Sequence, residues 1–285
     1  MDYTVISKRK ELIAYLETLS LKKNSLVALD LEAELNLHHY GQRLCLVQIY
    51  DGVHKLIIDP FDIETPLLKA FFEDRNILKI VYDAGSDSSL LKNVYDTEIK
   101  SLLDLRPAVD LLKFEKQDLH SVIAQELGVT LNNKIKFQRH NWTRRPLEKA
   151  ALEYAVNDVF YLFRLKDILL RKIHDQHLMD QYILRNLQIQ NKDYTIDPRE
   201  RYKREKGYHH LGIEEKILFK KLYDIREKYA KLADMPSYNV IRREDLLDIA
   251  KGDKTINDIR LPSRLGEEIS MKLMLELGNL TQNGK

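Results

Sequence analysis

Three runs rich in Val, Ile and Leu follow one another near the start of the chain: SLVALDLEAEL (25–35), RLCLVQIY (43–50) and VHKLIIDP (53–60). Only the short polar stretches HHYGQ and DG separate them. Asp51-Gly52 between two such runs is the strongest short hairpin signal a sequence offers, so the three runs predict an antiparallel meander. After it, PLLKAFFE (66–73) reads as a helix and ILKIVYD (77–83) as a strand. SDSSLLKNVY (86–95) reads as a helix opened by Ser86 as N-cap. A meander followed by alternating strands and helices implies an α/β fold, a mixed sheet flanked by helices.

Beyond residue 100 the pattern turns helical. HSVIAQELG (120–128) ends in Gly128, suited to a helix C-terminus, and PLEKAALEYAVNDVFYLFRLKDILLRKI (146–173) opens with Pro146 at a first-turn position. The polar stretch QNKDYTIDPRERYKREKG (190–207) reads as an interdomain connection. EEKILFKKLYDIREKYAKLA, REDLLDIAKG and RLGEEISMKLMLELGNL then predict a small all-α domain. The expected division is 1–190, a basic connector over 191–210, and 211–285.

Composition narrows the class. Of the 285 residues, 44% are hydrophobic and 32% charged, which excludes general disorder. No run of ~18 apolar residues is present to cross a membrane. The opening MDYTVISKRKELIAYLETL carries acids where a signal peptide has an uninterrupted apolar core. The single cysteine, Cys45, excludes an internal disulfide and a cysteine-rich metal site, and inside an apolar strand it reads as a buried small hydrophobe. A soluble cytoplasmic protein is the expectation, with no membrane contact and no obligate protein partner. Residues 171–285 hold 23 Lys+Arg against 19 Asp+Glu, whereas 1–170 hold 23 against 25. A mildly acidic front half followed by a basic back half suits a carboxylate-rich site beside a module that touches phosphates.

Three acidic positions stand out. On a strand, Asp30 and Glu32 project from one face while Leu31 points the other way. Two like charges at the end of a buried strand repel unless a cation neutralises them, and hard oxygen ligands suit Mg²⁺ or Mn²⁺. A solvated strand end running on into Glu34 is the plain alternative. Asp158, in YAVNDVFYLF, has mostly apolar or aromatic neighbours one turn away, which is costly unless the carboxylate is paired or metal-bound. Tyr154 lies one turn earlier on the same side. Asp87 falls in the first turn of a helix, where the dipole favours acids without any function, and Asp83 competes with it for a role.

The ordered set resembles one family. D-x-E on the first strand is followed by an Asp after a later strand. Then comes Trp142-Thr-Arg-Arg145-Pro146-Leu147, and after it Tyr154-Ala-Val-Asn-Asp158. This is similar to the ribonuclease D group of DEDD 3′→5′ exonucleases, in its tyrosine-bearing subtype, over roughly residues 20–170. Residues 211–265 resemble the helicase-and-RNase-D C-terminal (HRDC) domain. The resemblance implies an RNase H-like fold in which Asp30, Glu32, Asp87 and Asp158 hold two divalent cations, Mg²⁺ or Mn²⁺. It also implies that the Tyr154 hydroxyl positions the attacking water. Departures from the family pattern are Leu31 where Thr is common, Ala33 where many members carry Phe, Tyr82 for a frequent His, and Asn141 where Asp is usual. The Lys134-Ile-Lys136 segment is also shifted by one place. None removes an implied metal ligand.

Weaker signals surround this set. Lys134, Lys136, Arg139, His140, Arg144 and Arg145, together with Trp142, could hold a phosphate backbone and stack a base, although Trp142 equally suits a core position. In the connector, Arg199, Arg201, Lys203, Arg204 and Lys206 suit RNA, interrupted by Glu200 and Glu205. His38-His39, in the first hairpin loop, reads as exposed or RNA-facing, since adjacent side chains diverge. The resulting expectation is a metal-dependent 3′→5′ exoribonuclease that trims tRNA-like 3′ ends to nucleoside 5′-monophosphates. The same chemistry on single-stranded DNA and a catalytically silent RNA-binding module are the rivals.

Overall fold

The structure is a computed structural model that describes residues 2–21, 25–131, 136, 137 and 139–282. The chain divides into two units, one comprising Met1–Ala33 with Arg43–Thr195 and the other Glu34–Gln42 with Ile196–Lys285.

The first unit is built on a six-stranded sheet. Its strands are β1 (Thr4–Ile6), β2 (Ser25–Leu35), β3 (Gln42–Tyr50), β4 (Lys55–Ile58), β5 (Ile77–Val81) and β6 (Leu102–Asp104), in the order β1-β4-β3-β2-β5-β6. β3 and β4 are antiparallel, whereas β1 with β4, β2 with β5 and β5 with β6 are parallel, so the sheet is mixed. The Asp51-Gly52 turn forms as expected. Gly52 takes φ +90, and Asp51 accepts hydrogen bonds from the backbone N–H of Val53 (2.9 Å) and His54 (2.7 Å). The short strands β1 and β6 carry no sequence signal of their own; each is three residues long and exists because a longer neighbour pairs with it.

Among the described residues, the helices that accompany this sheet include α1 (Arg9–Ser20), α2 (Thr65–Glu73), α3 (Gly85–Tyr95), α4 (Arg106–Leu111), α5 (Leu119–Leu127), α6 (Lys149–Phe160), α7 (Leu162–Asp175) and α8 (Met179–Gln190). The strand alternation of β2 decides what faces what. Val27, Leu29 and Leu31 join one core with residues of α1, α2 and α3. Ala28 points oppositely, into a second core with Val122 and Ile123 of α5 and Val159 of α6. Asp30 and Glu32 share the parity of Ala28 and therefore face the α5–α6 side.

Three local expectations need correction. Ser86 is not the N-cap of α3; Ala84 holds that position, and the turn is capped from a distance by buried Asp104, which accepts from the N–H of Asp83 (2.8 Å) and Ala84 (2.9 Å). Pro146 lies ahead of α6, whose N-cap is Glu148. The single helix expected over 146–173 is broken at Tyr161 into α6 and α7, a break that no Gly or Pro marks.

The second unit has its own core around Phe219, Leu222, Leu246, Leu273 and Leu277, each 0% exposed. It is formed by α9 (Ile213–Leu232), α10 (Ser237–Val240), α11 (Arg243–Lys251) and α12 (Glu267–Gln282). The boundary falls at 195/196, and residues 196–210 belong to this unit. Buried Tyr208 joins its core, and Glu205 bonds the nearly buried Arg226 guanidinium at 2.7 Å. Among the described residues, no helix is long and apolar enough to cross a membrane.

Candidate active site

β2 delivers Asp30 and Glu32 side by side, and α6 delivers Asp158, which is 7% exposed on the face the helix turns inward. Ligand oxygens of these three carboxylates lie within 4.8 Å of one another. Burial pushes the carboxyls of Asp30 and Glu32 well above their usual range, and the neighbouring acids Asp87 and Asp158 push them further. The charges acting on both are carboxylates. A desolvated, all-oxygen, mutually repelling donor set fits a hard divalent cation, which would relieve that repulsion.

Asp87 stands beside that triad and outside its 4.8 Å group, on the first turn of α3. Its influence still reaches Asp30 and Glu32, and burial, with Asp83 and Asp104 adding to it, pushes its own carboxyl up to about 7. Asp83, the competing acid, is exposed, adopts φ +62 and is paired with Arg106 at 3.5 Å. Glu34, continuing the strand, is buried but turned to local use. It accepts from the backbone N–H of Leu37 and His38 (2.9 Å for the latter) and meets the His38 ring at Nδ1, 3.1 Å away. His39 in turn meets Asp234 at 2.8 Å, so the histidine pair is divided between two carboxylates.

Tyr154 lies one turn before Asp158 and hydrogen-bonds it; burial, with Asp158, Glu32 and Asp30 adding to it, raises its phenol, which stays protonated at any ordinary pH. An aromatic frame fixes its ring: Phe137 at 5.1 Å, His120 at 5.6 Å and Trp142 at 6.4 Å between centroids.

Two nucleic-acid contacts expected from the sequence have other work. Trp142 is 3% exposed within a core formed with Cys45, Leu46 and Ala155, so its ring has no open face for a base. Arg145 forms a forked ion pair with Asp59 and donates to the carbonyls of Cys45 (2.9 Å) and Trp142 (2.8 Å), which ties the segment before α6 to β3. Lys136 is exposed and sits 3.4 Å from Glu148. Lys134 lies outside the described residues.

His120 is the site residue that sequence reasoning missed. Asp118 caps α5 by accepting from the N–H of Ser121 (3.3 Å), which places His120 in the first turn. There its Nε2 is 2.8 Å from Asp158 Oδ1. Nothing in HSVIAQELG ties that histidine to an acid 38 residues away; the pairing exists only once α5 and α6 pack together.

A family of 3′-5′ exonuclease domains matches residues 3–174. The chain belongs to that 3′-5′ exonuclease family. Among curated relatives, the Caenorhabditis elegans exosome complex component 10 homolog is 30% identical over 195 residues, 68% of this chain and 21% of that protein. Ribonuclease D of Escherichia coli K12 is 26% identical over 96% of this chain and 70% of its own length. A Cronobacter turicensis ribonuclease D is 25% identical over 85% of this chain and 63% of its own length, so the exonuclease-family chain spans only part of the relatives it matches. Among solved structures, Escherichia coli RNase D superposes with TM-score 0.76 at 22% identity, covering 99% of this chain and 76% of that one. That likeness carries the fold: an RNase D-type mixed α/β sheet with flanking helices and a helical C-terminal region. Brucella melitensis NrnC, solved with bound Mg²⁺, is 25% identical over 62% of this chain and 84% of that one, with TM-score 0.51.

Proposed function

We propose that this chain is a metal-dependent 3′→5′ exoribonuclease of the tyrosine-bearing DEDD type, which trims structured, tRNA-like RNA 3′ ends and releases nucleoside 5′-monophosphates. The observation that carries the reading is the meeting of Asp30, Glu32 and Asp158 within 4.8 Å, from two elements far apart in sequence. Asp87 supplies the fourth acid from a second side, as a site holding two cations requires. Asp30, Glu32, Asp87 and Asp158 would hold divalent cations, which would supply charge neutralisation for the attacking and leaving oxygens and acidify a water. Tyr154, kept protonated, donates its O–H toward that water and orients it. The aromatic frame limits the phenol to small excursions, which keeps the geometry near an attacking one. Relatives named ribonuclease D and an NrnC solved with Mg²⁺ support the substrate class and the ion class.

The second unit, in this reading an HRDC-like RNA-holding module, has a cleft of about 750 Å³ lined by Arg201, Arg204, Arg242 and Arg243 with Tyr40 and Tyr238. Guanidinium groups beside phenol rings suit a phosphate backbone with stacked bases. The deciding experiment is digestion of a 3′-tailed RNA and its DNA analogue, with and without Mg²⁺ or Mn²⁺. Stepwise release of 5′-mononucleotides from RNA, abolished by EDTA, is expected. Faster release from DNA reassigns the substrate, and RNA binding without release in any metal leaves a silent binding module.

A further inference from the structure

We infer that His120 is a positioning residue for the reaction, acting through Asp158 and, by way of Asp158, on Tyr154. The inference rests on the nuclease reading above and adds to it a residue that the acid-and-tyrosine set does not include.

The geometry is specific. His120 Nε2 lies 2.8 Å from Oδ1 of Asp158, and the two side chains are 11% and 9% exposed. The other ring nitrogen, Nδ1, is buried with no hydrogen-bond partner among the described residues, and among them the contact to Asp158 is the polar bond that fixes the imidazole. Leaving a buried polar nitrogen unpaired is costly. A phenylalanine or leucine would fill the position without that penalty, so an imidazole here is not explained by packing. A carboxylate that binds a cation is oriented by hydrogen bonds to its remaining oxygen, and His120 provides that bond for Asp158.

The consequence reaches Tyr154. Its hydroxyl also hydrogen-bonds Asp158. With His120 bonded to Oδ1, the Asp158 carboxylate would be held in one orientation toward a bound cation, and the phenol bonded to the same carboxylate would be held with it. Without the His120 N–H, the Asp158 carboxylate loses one of the bonds that orient it, and the phenol bonded to it loses that orientation too. The His120 ring also lies 5.6 Å from that of Tyr154, so the same side chain walls the phenol on one side.

The test uses the full chain and two replacements. His120→Phe keeps the ring and deletes the N–H, and His120→Gln puts an amide N–H near the place of Nε2. Mn²⁺ affinity is read directly by calorimetry, and kcat and KM are read on a 3′-tailed RNA. His120→Phe is expected to weaken Mn²⁺ binding about 10–100-fold and lower kcat with KM within a few fold, and Gln is expected to recover most of both. In a Tyr154→Phe background, the kcat loss from His120→Phe is expected to shrink, since both act through one carboxylate. Unchanged Mn²⁺ affinity and kcat in His120→Phe overturn the inference while leaving the nuclease reading intact, and so does a loss that Gln fails to recover. An unsubstituted protein that binds no Mn²⁺ and cleaves nothing overturns both.

Discussion

Asp158 on α6 and Asp30 on β2 bring their carboxylate oxygens within 4.8 Å, and each raises the cost of ionising the site. Neither element could do this alone: the strand supplies a fixed two-residue repeat and the helix a fixed four-residue turn. Val159 of α6 and Ala28 of β2 belong to one core, which holds the two elements together. The acidic cluster is thus an outcome of sheet-on-helix packing, held in spite of its own repulsion.

Replacement of Asp30 by Asn removes a charge without changing shape. Turnover on RNA is expected to fall about 10³-fold, equivalent to roughly 4 kcal/mol of lost stabilisation of the transition state. Circular dichroism should be unaltered. Steady-state release of 5′-mononucleotides is the measurement, and activity within tenfold of the unsubstituted chain would remove the site assignment.

The parts of this site written in the sequence were those with a local period. Asp30 and Glu32 follow from strand parity, Tyr154 and Asp158 from one helical turn, and the Asp51-Gly52 turn from its two residues. What the sequence hid were relations between elements. Asp104, on a three-residue strand with no pattern of its own, caps the turn that leads to Asp87. Trp142 and Arg145, ambiguous as letters, became core and tether only when β3 and β4 lay beside them. His120 was invisible for the same reason, since its partner belongs to another helix.

Tyr154→Phe deletes one hydroxyl from a ring that Phe137, His120 and Trp142 continue to hold. The expected result is a kcat about 10²-fold lower with KM within a few fold, as befits a group that orients a proton-bearing reactant. Presteady-state cleavage of a single-turnover RNA checks it, and a proportional rise in KM with kcat retained contradicts it.

Stability should depend on pH in a direction the acids dictate. Asp30, Glu32 and Asp87 all have folded-state values above their unfolded ones, Asp87 at about 7. Their favourable contribution is therefore complete below the unfolded value near 4 and is lost as pH rises through the folded values. EDTA-treated protein is expected to have a lower Tm at pH 8 than at pH 5.5. Asp30→Asn should flatten that slope, and Mn²⁺ should raise Tm more at pH 8, since binding requires deprotonated ligands. Scanning calorimetry with and without Mn²⁺ decides, and equal slopes in the two proteins contradict the assignment.

Arg145 and Asp59 test whether the segment before α6 is a tether or an RNA contact. The guanidinium meets both Asp59 oxygens and three carbonyls, those of Cys45, Trp142 and Arg144, and lies over the Phe61 ring at 4.2 Å. Lysine cannot reproduce the fork, so Arg145→Lys is expected to lower stability by about 1–3 kcal/mol in denaturant titrations. RNA affinity at a temperature where both proteins are folded should differ less than threefold. A large affinity loss with unchanged stability would return Arg145 to the nucleic-acid surface.

Arg201, Arg204 and Arg242 line the second unit's cleft and are exposed, so their replacement by Ala should leave folding intact while removing phosphate contacts. Each contact to single-stranded RNA contributes about 0.7 to the slope of log affinity against log salt, so the triple variant should flatten the slope by roughly 2. Turnover at saturating RNA should be unchanged, because the carboxylates belong to the other unit. Fluorescence anisotropy of a labelled RNA from 50 to 300 mM salt, with Asp30→Asn present in both proteins to prevent digestion, separates the outcomes. Parallel slopes would show that the guanidinium groups face no phosphate. A lower kcat in the digestion-competent triple variant would show instead that the cleft takes part in cleavage.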